Sequence, residues 1–211
     1  MKILEIGNYR IRPVVVVVQE LPHRTEFILK ELASKGIEPD VFNGFDSQQC
    51  GLRTEHTYEF DSPGSGYRIG AKEIANWVSF YSLWSALNMQ ADEHFLQLEW
   101  DADFHPGWFQ RAEKALRDTP EDFDMLQLGS CCCMDKPRTQ VAGDVWQVKW
   151  PACGHATILA RKCIPALLRS QRKVWAPMDL SLIFGTFEQE GIKLFTVLPR
   201  MADQFNTNLA A

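Results

Sequence analysis

The sequence predicts an α/β protein whose mixed, mostly parallel sheet is covered by helices on both faces. Three observations carry that expectation. The β-branched run "PVVVVV" at 13–18, closed by Gln19 and Glu20, has the composition of a strand buried on both faces. Strand-like and helix-like segments then alternate along nearly the whole chain. Finally, "FLQLEWDADFHPGWF" at 95–109 runs from apolar residues into Glu99, Asp101 and Asp103. Acids are thereby gathered at the carboxyl end of a strand, where open α/β sheets take their ligands.

The elements follow in order. After the valine strand, Phe27, Ile28 and Leu32 form one apolar helical face, and Gly36 stops that helix before extended "DVFNGF". Residues 46–70 hold turn formers without periodicity and read as a long loop, a frequent place for function. Ile74, Trp77, Val78, Tyr81 and Trp84 recur at helical spacing in "AKEIANWVSFYSLWSALNM", an aromatic stripe read as core, and strand "HFLQLEW" follows. Helix "GWFQRAEKALRD", strand "FDMLQLGS", a loop with three cysteines, and strands "DVWQVKW" and "HATILA" come next. "RKCIPALLRS" and "DLSLIFGTFEQEG" read as helices, "IKLFTVLP" as a last strand and "RMADQFNTNLAA" as a polar tail.

With 211 residues, 45% hydrophobic and 11% aromatic, the chain can close one substantial core. No repeat or linker divides it, so residues 1–211 are expected to form a single domain. A net charge of −5 argues against a broad polyanion-binding surface, and nucleic acid is not an expected partner. The opening "MKILEIGNYRIRP" lacks the apolar stretch of a secretory signal, and "VVVVV" is too short to span a bilayer. A cytoplasmic protein is expected. A peripheral membrane contact stays open, since "RKCIPALLRSQRK" offers a basic rim, although it reads first as a solvated helix face. The six cysteines lack the spacing of a disulfide framework or a paired zinc site, so reduced thiols are expected. A soft-metal group of Cys131, Cys132, Cys133, Cys153 and His155 is the weaker reading, because neighbouring strand residues point to opposite faces.

Three acids within five residues repel one another unless something compensates them. If the strand persists, Asp101 and Asp103 point the same way, and their oxygens suit Mg²⁺ or Mn²⁺ with positions left open for phosphate. The plainer alternative has one acid capping the helix near Pro106 and the others solvated.

Several ordered stretches resemble the family 25 glycosyltransferases, which include lipopolysaccharide-type β-galactosyltransferases and collagen galactosyltransferases. They are "VVVVVQELPHRTEFILKELASKGIEPDVFNGFD", "KEIANWVSFYSLW", "LQLEWDADFHP", "CGHATILARKCIPALL" and "VWAPMDLSLI", spanning roughly 13–200. "KEIANWVSF" is similar to the family's "GEIGCALSH", with Phe80 in place of histidine. "LEWDAD" is similar to "LEDDA", with Trp100 in place of the middle acid and Asp103 restoring a DxD pair. Arg24 matches the arginine after the first strand, and Asp179 falls on the aspartate of a "P-x-D" motif.

The resemblance implies a GT-A, Rossmann-like fold and inverting transfer of a sugar from a nucleotide donor, a UDP-sugar, to a hydroxyl of a glycan or glycoconjugate acceptor. It implies donor binding by Arg24, Glu99, Asp101 and Asp103 and a Mn²⁺ or Mg²⁺ ion on Asp101 and Asp103. Asp179, in the first turn of the helix expected after Pro177, is the expected general base, and Glu188 or Glu190 are the next candidates. Two alternatives stand beside it. A sugar-phosphate nucleotidyltransferase would need a glycine-rich phosphate loop after the first strand, and "QELPHRTE" has no glycine. A non-catalytic nucleotide-sugar-binding relative is suggested by the altered Phe80 and Trp100. His105 and His155 receive no catalytic role. Trp146, Trp150 and Trp175 read as core or as sugar-stacking residues on the acceptor side.

Overall fold

The computed structural model describes residues 3–18, 22–52, 57–59, 68–131, 138–149, 152–174, 176–182, 186 and 190–205. A hairpin opens the chain: β1 (Leu4–Ile6) pairs antiparallel with β2 (Tyr9–Val18) through a tight turn in which Gly7 takes φ 58°. The strand expected at 13–18 is therefore longer, and β1 escapes a sequence pattern because three residues carry too little alternation to register. Helix α1 (Pro22–Ser34) buries Ile28 and Leu32 and leads to β3 (Asp40–Gly44), which runs parallel to β2. Within the expected long loop, β4 (Thr57–Glu59) and β5 (Arg68–Gly70) pair antiparallel. Next come α2 (Ala71–Asn88), β6 (His94–Glu99), β7 (Ala102–Phe104) and α3 (Trp108–Asp118). Strands β8 (Met125–Cys131), β9 (Arg138–Ala142), β10 (Val145–Val148) and β11 (Ala152–Ala160) precede α4 (Ile164–Ser170) and the short α5 (Met178–Ser181). The rest of the helix expected after Asp179 lies largely outside the described residues. The chain returns as β12 (Leu194–Val197) and β13 (Ala202–Gln204). β13 corrects the reading of a polar tail: it pairs with β7, Asp203 opposite Asp103, because β7 would otherwise present unpaired backbone.

The main sheet has nine strands, ordered β1-β2-β6-β11-β8-β12-β10-β9, with β3 also on β2. Strands β3, β2, β6, β8, β12 and β9 run one way and β1, β11 and β10 the other, a mixed, mostly parallel sheet as the sequence predicts. Both faces are covered. Val15, Val17, Leu96 and Leu98 pack with α1 and α3 residues such as Ile28 and Leu116, whereas Val14, Val16 and Phe95 pack with Trp77, Phe80 and Trp84 of α2 and Leu167 of α4. Strand period two thus assigns each residue of β2 and β6 to one layer. Gln97, on the α2 side of β6, would be an uncompensated buried amide, and the Trp84 indole Nε1 donates to its Oε1 at 2.8 Å. Among the described residues no helix is long and apolar enough to cross a membrane.

Trp84→Phe keeps the ring in the core but strands the Gln97 oxygen. It is expected to cost about 1–3 kcal/mol, which is a fall of roughly 2–4 °C in Tm per kcal/mol at this size. Calorimetry of parent and variant checks this; an unchanged Tm contradicts it.

Candidate functional site

The carboxyl ends of β2, β3 and β6 meet the antiparallel start of β11 along one edge of the sheet. In β6, Phe95 and Gln97 face α2, so Glu99 faces α2 as well. The edge there is open. A cavity of about 560 Å³ is bounded by the β2 end (Val16, Val18), the loop after β3 (Phe45, Asp46, Ser47), the first turns of α2 (Lys72, Asn76), Arg24 of α1, and Glu99 with Trp100. Glu99, Asn76 and Phe80 also line a narrower recess of about 40 Å³, whose other walls include Gln127, Cys153, Gly154, Thr157 and Asp179.

One rim of the large cavity is cationic. The Arg24 guanidinium lies 4.5 Å from the centre of the Trp100 ring, and its Nε is buried without a hydrogen-bond partner among the described residues. Lys72, in the first turn of α2, lines the same space. The wall opposite is fixed by Ser79, whose Oγ accepts from the Phe45 N–H at 2.8 Å and donates to the Ala75 carbonyl at 2.8 Å. Only glycine allows this approach, since a Cβ on Gly44 would come within 2.9 Å of that Oγ.

The recess is acidic. Burial pushes the Glu99 carboxyl from near 4.5 up to about 8, with the charges of Asp101 and Asp179 adding to the shift. Burial also raises Asp179, against the pull of the Cys153 N–H, which donates to its Oδ2 at 3.1 Å, and of His155. That N–H is aimed by an unusual backbone: Cys153 has φ 57°, and the β11–β8 register shifts between Ala152 and Ala156. A bulge with a left-handed non-glycine residue stores about 1–3 kcal/mol of strain, and such strain gathers at functional sites. Cys153 is also disulfide-bonded, which corrects the expectation of reduced thiols at this position, while Cys50 and Cys163 are free. Strand pairing sets Ala152 opposite Cys131, so Cys153, the second residue of β11, lies near the cysteine-bearing end of β8.

The structure separates the acids that the sequence groups. The chain turns at Trp100 and Asp101, so strand β6 does not persist and Asp101 does not follow Glu99 into the cavity. Asp101 is buried instead beside β13: its Oδ2 accepts from Gln204 Nε2 at 3.2 Å, and its Oδ1 is buried without a partner among the described residues. Burial raises its pKa, opposed by Gln204, His155 and Arg24. Asp103 stands half-buried on β7 and lines neither cavity. No group of three or more His, Cys, Asp or Glu side chains among the described residues is arranged to hold a metal ion. Glu190 is engaged by Arg169 at 2.8 Å, away from the recess, and Glu188 lies outside the described residues. His105 pairs with Asp203 at 2.8 Å, and His155 is buried with Nε2 on the Ala202 carbonyl at 2.9 Å. Trp146 packs in the core under Arg138, while Trp150 and Trp175 lie outside the described residues. Lys72, Asn76 and Gln127 are site residues that the sequence pattern does not single out. The first two stand four apart on α2, polar within its aromatic stripe, and that spacing was their available signal.

No protein-family model matches this chain, and no curated protein does. Solved structures with a similar backbone path include A197 from STIV (TM-score 0.48, 13% identity, 91% of this chain and 83% of that one). A mannose-1-phosphate geranyltransferase from Thermus thermophilus has TM-score 0.45 and 11% identity, with 92% of this chain and 75% of that one covered. An inositol-1-phosphate CTP transferase from T. maritima gives 0.39 and 12%, covering 89% and 69%. These likenesses concern the backbone path alone.

The Glu99 environment has a measurable consequence. The unfolded chain ionises Glu99 near 4.5, whereas the folded protein holds it protonated to about 8. The folded state therefore binds more protons across that window and loses stability as pH rises through it. Glu99→Gln, neutral throughout, is expected to gain Tm relative to the parent progressively from pH 4.5 to 8. Scanning calorimetry without nucleotide or divalent cation reads the difference, and a pH-independent offset contradicts it.

Proposed function

We propose that this protein is an inverting glycosyltransferase of the GT-A kind, moving a sugar from a UDP-sugar to a hydroxyl of a glycan or glycoconjugate. The observation that carries the reading is a pair of adjoining cavities with cations at one end, Arg24 and Lys72, and carboxyl groups at the other, Glu99 and Asp179. A nucleotide sugar has the matching polarity: a diphosphate that needs positive partners and a sugar that offers hydroxyls. Arg24, held against Trp100 with Nε still to be paired, donates to the diphosphate, and Lys72 adds a second charge from the start of α2. Both charges sit where negative charge builds as the sugar–phosphate bond breaks.

Asp179 takes the proton. The acceptor oxygen bonds to the anomeric carbon, the bond to the diphosphate oxygen breaks with its electron pair leaving on the nucleotide, and the acceptor's proton passes to the Asp179 carboxylate. The Cys153 N–H holds Oδ2 and leaves Oδ1 for that transfer. Burial brings the carboxyl nearer to neutral pH, where a general base works best.

The described residues do not fit the divalent cation implied by the resemblance: Asp101 is turned toward Gln204 of β13, Asp103 stands on β7, neither lines the cavity, and no group of three or more His, Cys, Asp or Glu side chains among the described residues could hold a metal ion.

The reading predicts that UDP and a UDP-sugar raise Tm, ligand at about 100 times its Kd adding roughly 2.7 kcal/mol. Arg24→Ala is expected to weaken UDP binding by about 1.5–3 kcal/mol. Asp179→Asn keeps donor affinity and loses transfer by roughly 10²–10⁴-fold. Absence of any nucleotide response, or near-parental turnover by Asp179→Asn, overturns the corresponding assignment. Release of nucleoside triphosphate from UDP-sugar and pyrophosphate would instead identify a nucleotidyltransferase.

A further inference from the structure

Gln127 lies in the middle of β8, 4% exposed, with its side chain in the wall of the recess. Its amide is oriented: Nε2 donates to the Cys153 carbonyl at 3.1 Å. Oε1 is left buried with no hydrogen-bond partner among the described residues. Stranding a buried acceptor is destabilising, and native structures rarely do so unless something outside the chain supplies the donor.

The recess also holds Asp179, whose Oδ2 is engaged by the Cys153 N–H, together with Glu99, Asn76 and Thr157, and none of them is hydrogen-bonded to Gln127 Oε1. At about 40 Å³ it is small, with room for a hydroxyl or hydroxymethyl group. It adjoins the large cavity, since Glu99, Asn76 and Phe80 line both. A ligand whose diphosphate lies against Arg24 and Lys72 can thus extend a hydroxyl-bearing arm past Glu99 to Gln127.

We infer that the recess is the sugar-selecting subsite of the donor, in which Gln127 Oε1 accepts a hydrogen bond from a hydroxyl of the transferred hexose. This rests on the nucleotide-sugar reading and adds to it the residue that tells a hexosyl nucleotide from the bare nucleotide. Polar recognition of this kind discriminates strongly, because a ligand without the hydroxyl leaves the oxygen stranded.

The test is calorimetric titration of the intact protein with UDP, UDP-glucose, UDP-galactose and UDP-N-acetylglucosamine. The parent is expected to bind at least one UDP-hexose more tightly than UDP. Gln127→Leu, and Gln127→Met as a second variant of similar reach should leucine fail to fold, are expected to cut that advantage about tenfold. UDP affinity stays within about twofold, which also reports a folded cavity. An undiminished hexose advantage in both variants overturns the inference and leaves Oε1 bound to a buried water. No hexose advantage in the parent overturns it too, with nucleotide binding intact. No binding of any of the four ligands removes the underlying reading and this subsite together.

Discussion

Everything at the site follows from the parallel pairing of β2 with β6, two strands buried on both faces. Register sets Val16 opposite Glu99, so β6 ends two residues before the valine run does. Period two then leaves Glu99 no choice of side: with Leu96 and Leu98 committed to the α1–α3 layer, it must emerge toward α2. A carboxyl at that point sits at the mouth of a core, between Phe80 and Gln127, and is desolvated for the same reason that the valines are. Core packing and site electrostatics are one constraint seen from two ends.

Around that carboxyl the chain accepts several local costs. Cys153 adopts a left-handed backbone to point its N–H at Asp179, and β11 bulges against β8. Polar atoms of Arg24, Asp101, Gln127 and His155 are buried without partners among the described residues. Of these, Arg24 lines the large cavity and Gln127 the recess, where a ligand can supply the missing hydrogen bond. The arrangement is also polarised, cations at the α1 and α2 end and carboxyls at the β11 end, which orients a ligand that is itself charged at one end and neutral at the other.

Much of the framework was legible because burial on two faces has a blunt compositional mark: "PVVVVV" could be little else than a central strand, and of the expected stripe Trp77 and Trp84 pack in the core while Val78 and Tyr81 are partly buried against it. Short elements were not legible. β1 and β13 are three residues each, and β13 exists only because β7 is there to pair with it, a tertiary fact no local window contains. At the site, Glu99 is readable as the end of a strand, but the turn at Trp100 comes one step before Asp101 and Asp103, and a shift of that size redirects Asp101 altogether. Lys72 and Gln127 are hidden for opposite reasons: one by an aromatic helix whose core face dominates its pattern, the other as a single amide inside the apolar strand "MLQLGS".

The central claim is that the edge between Arg24 and Glu99 is a nucleotide-sugar site, and a crystal structure of the protein grown with UDP measures it most directly. The account predicts a diphosphate within hydrogen-bonding distance of Arg24 and Lys72, its outer oxygen directed toward Glu99. A nucleotide found instead in the cavity of about 420 Å³ formed by His94, Arg161 and Lys162 at the other end of β6 would contradict it.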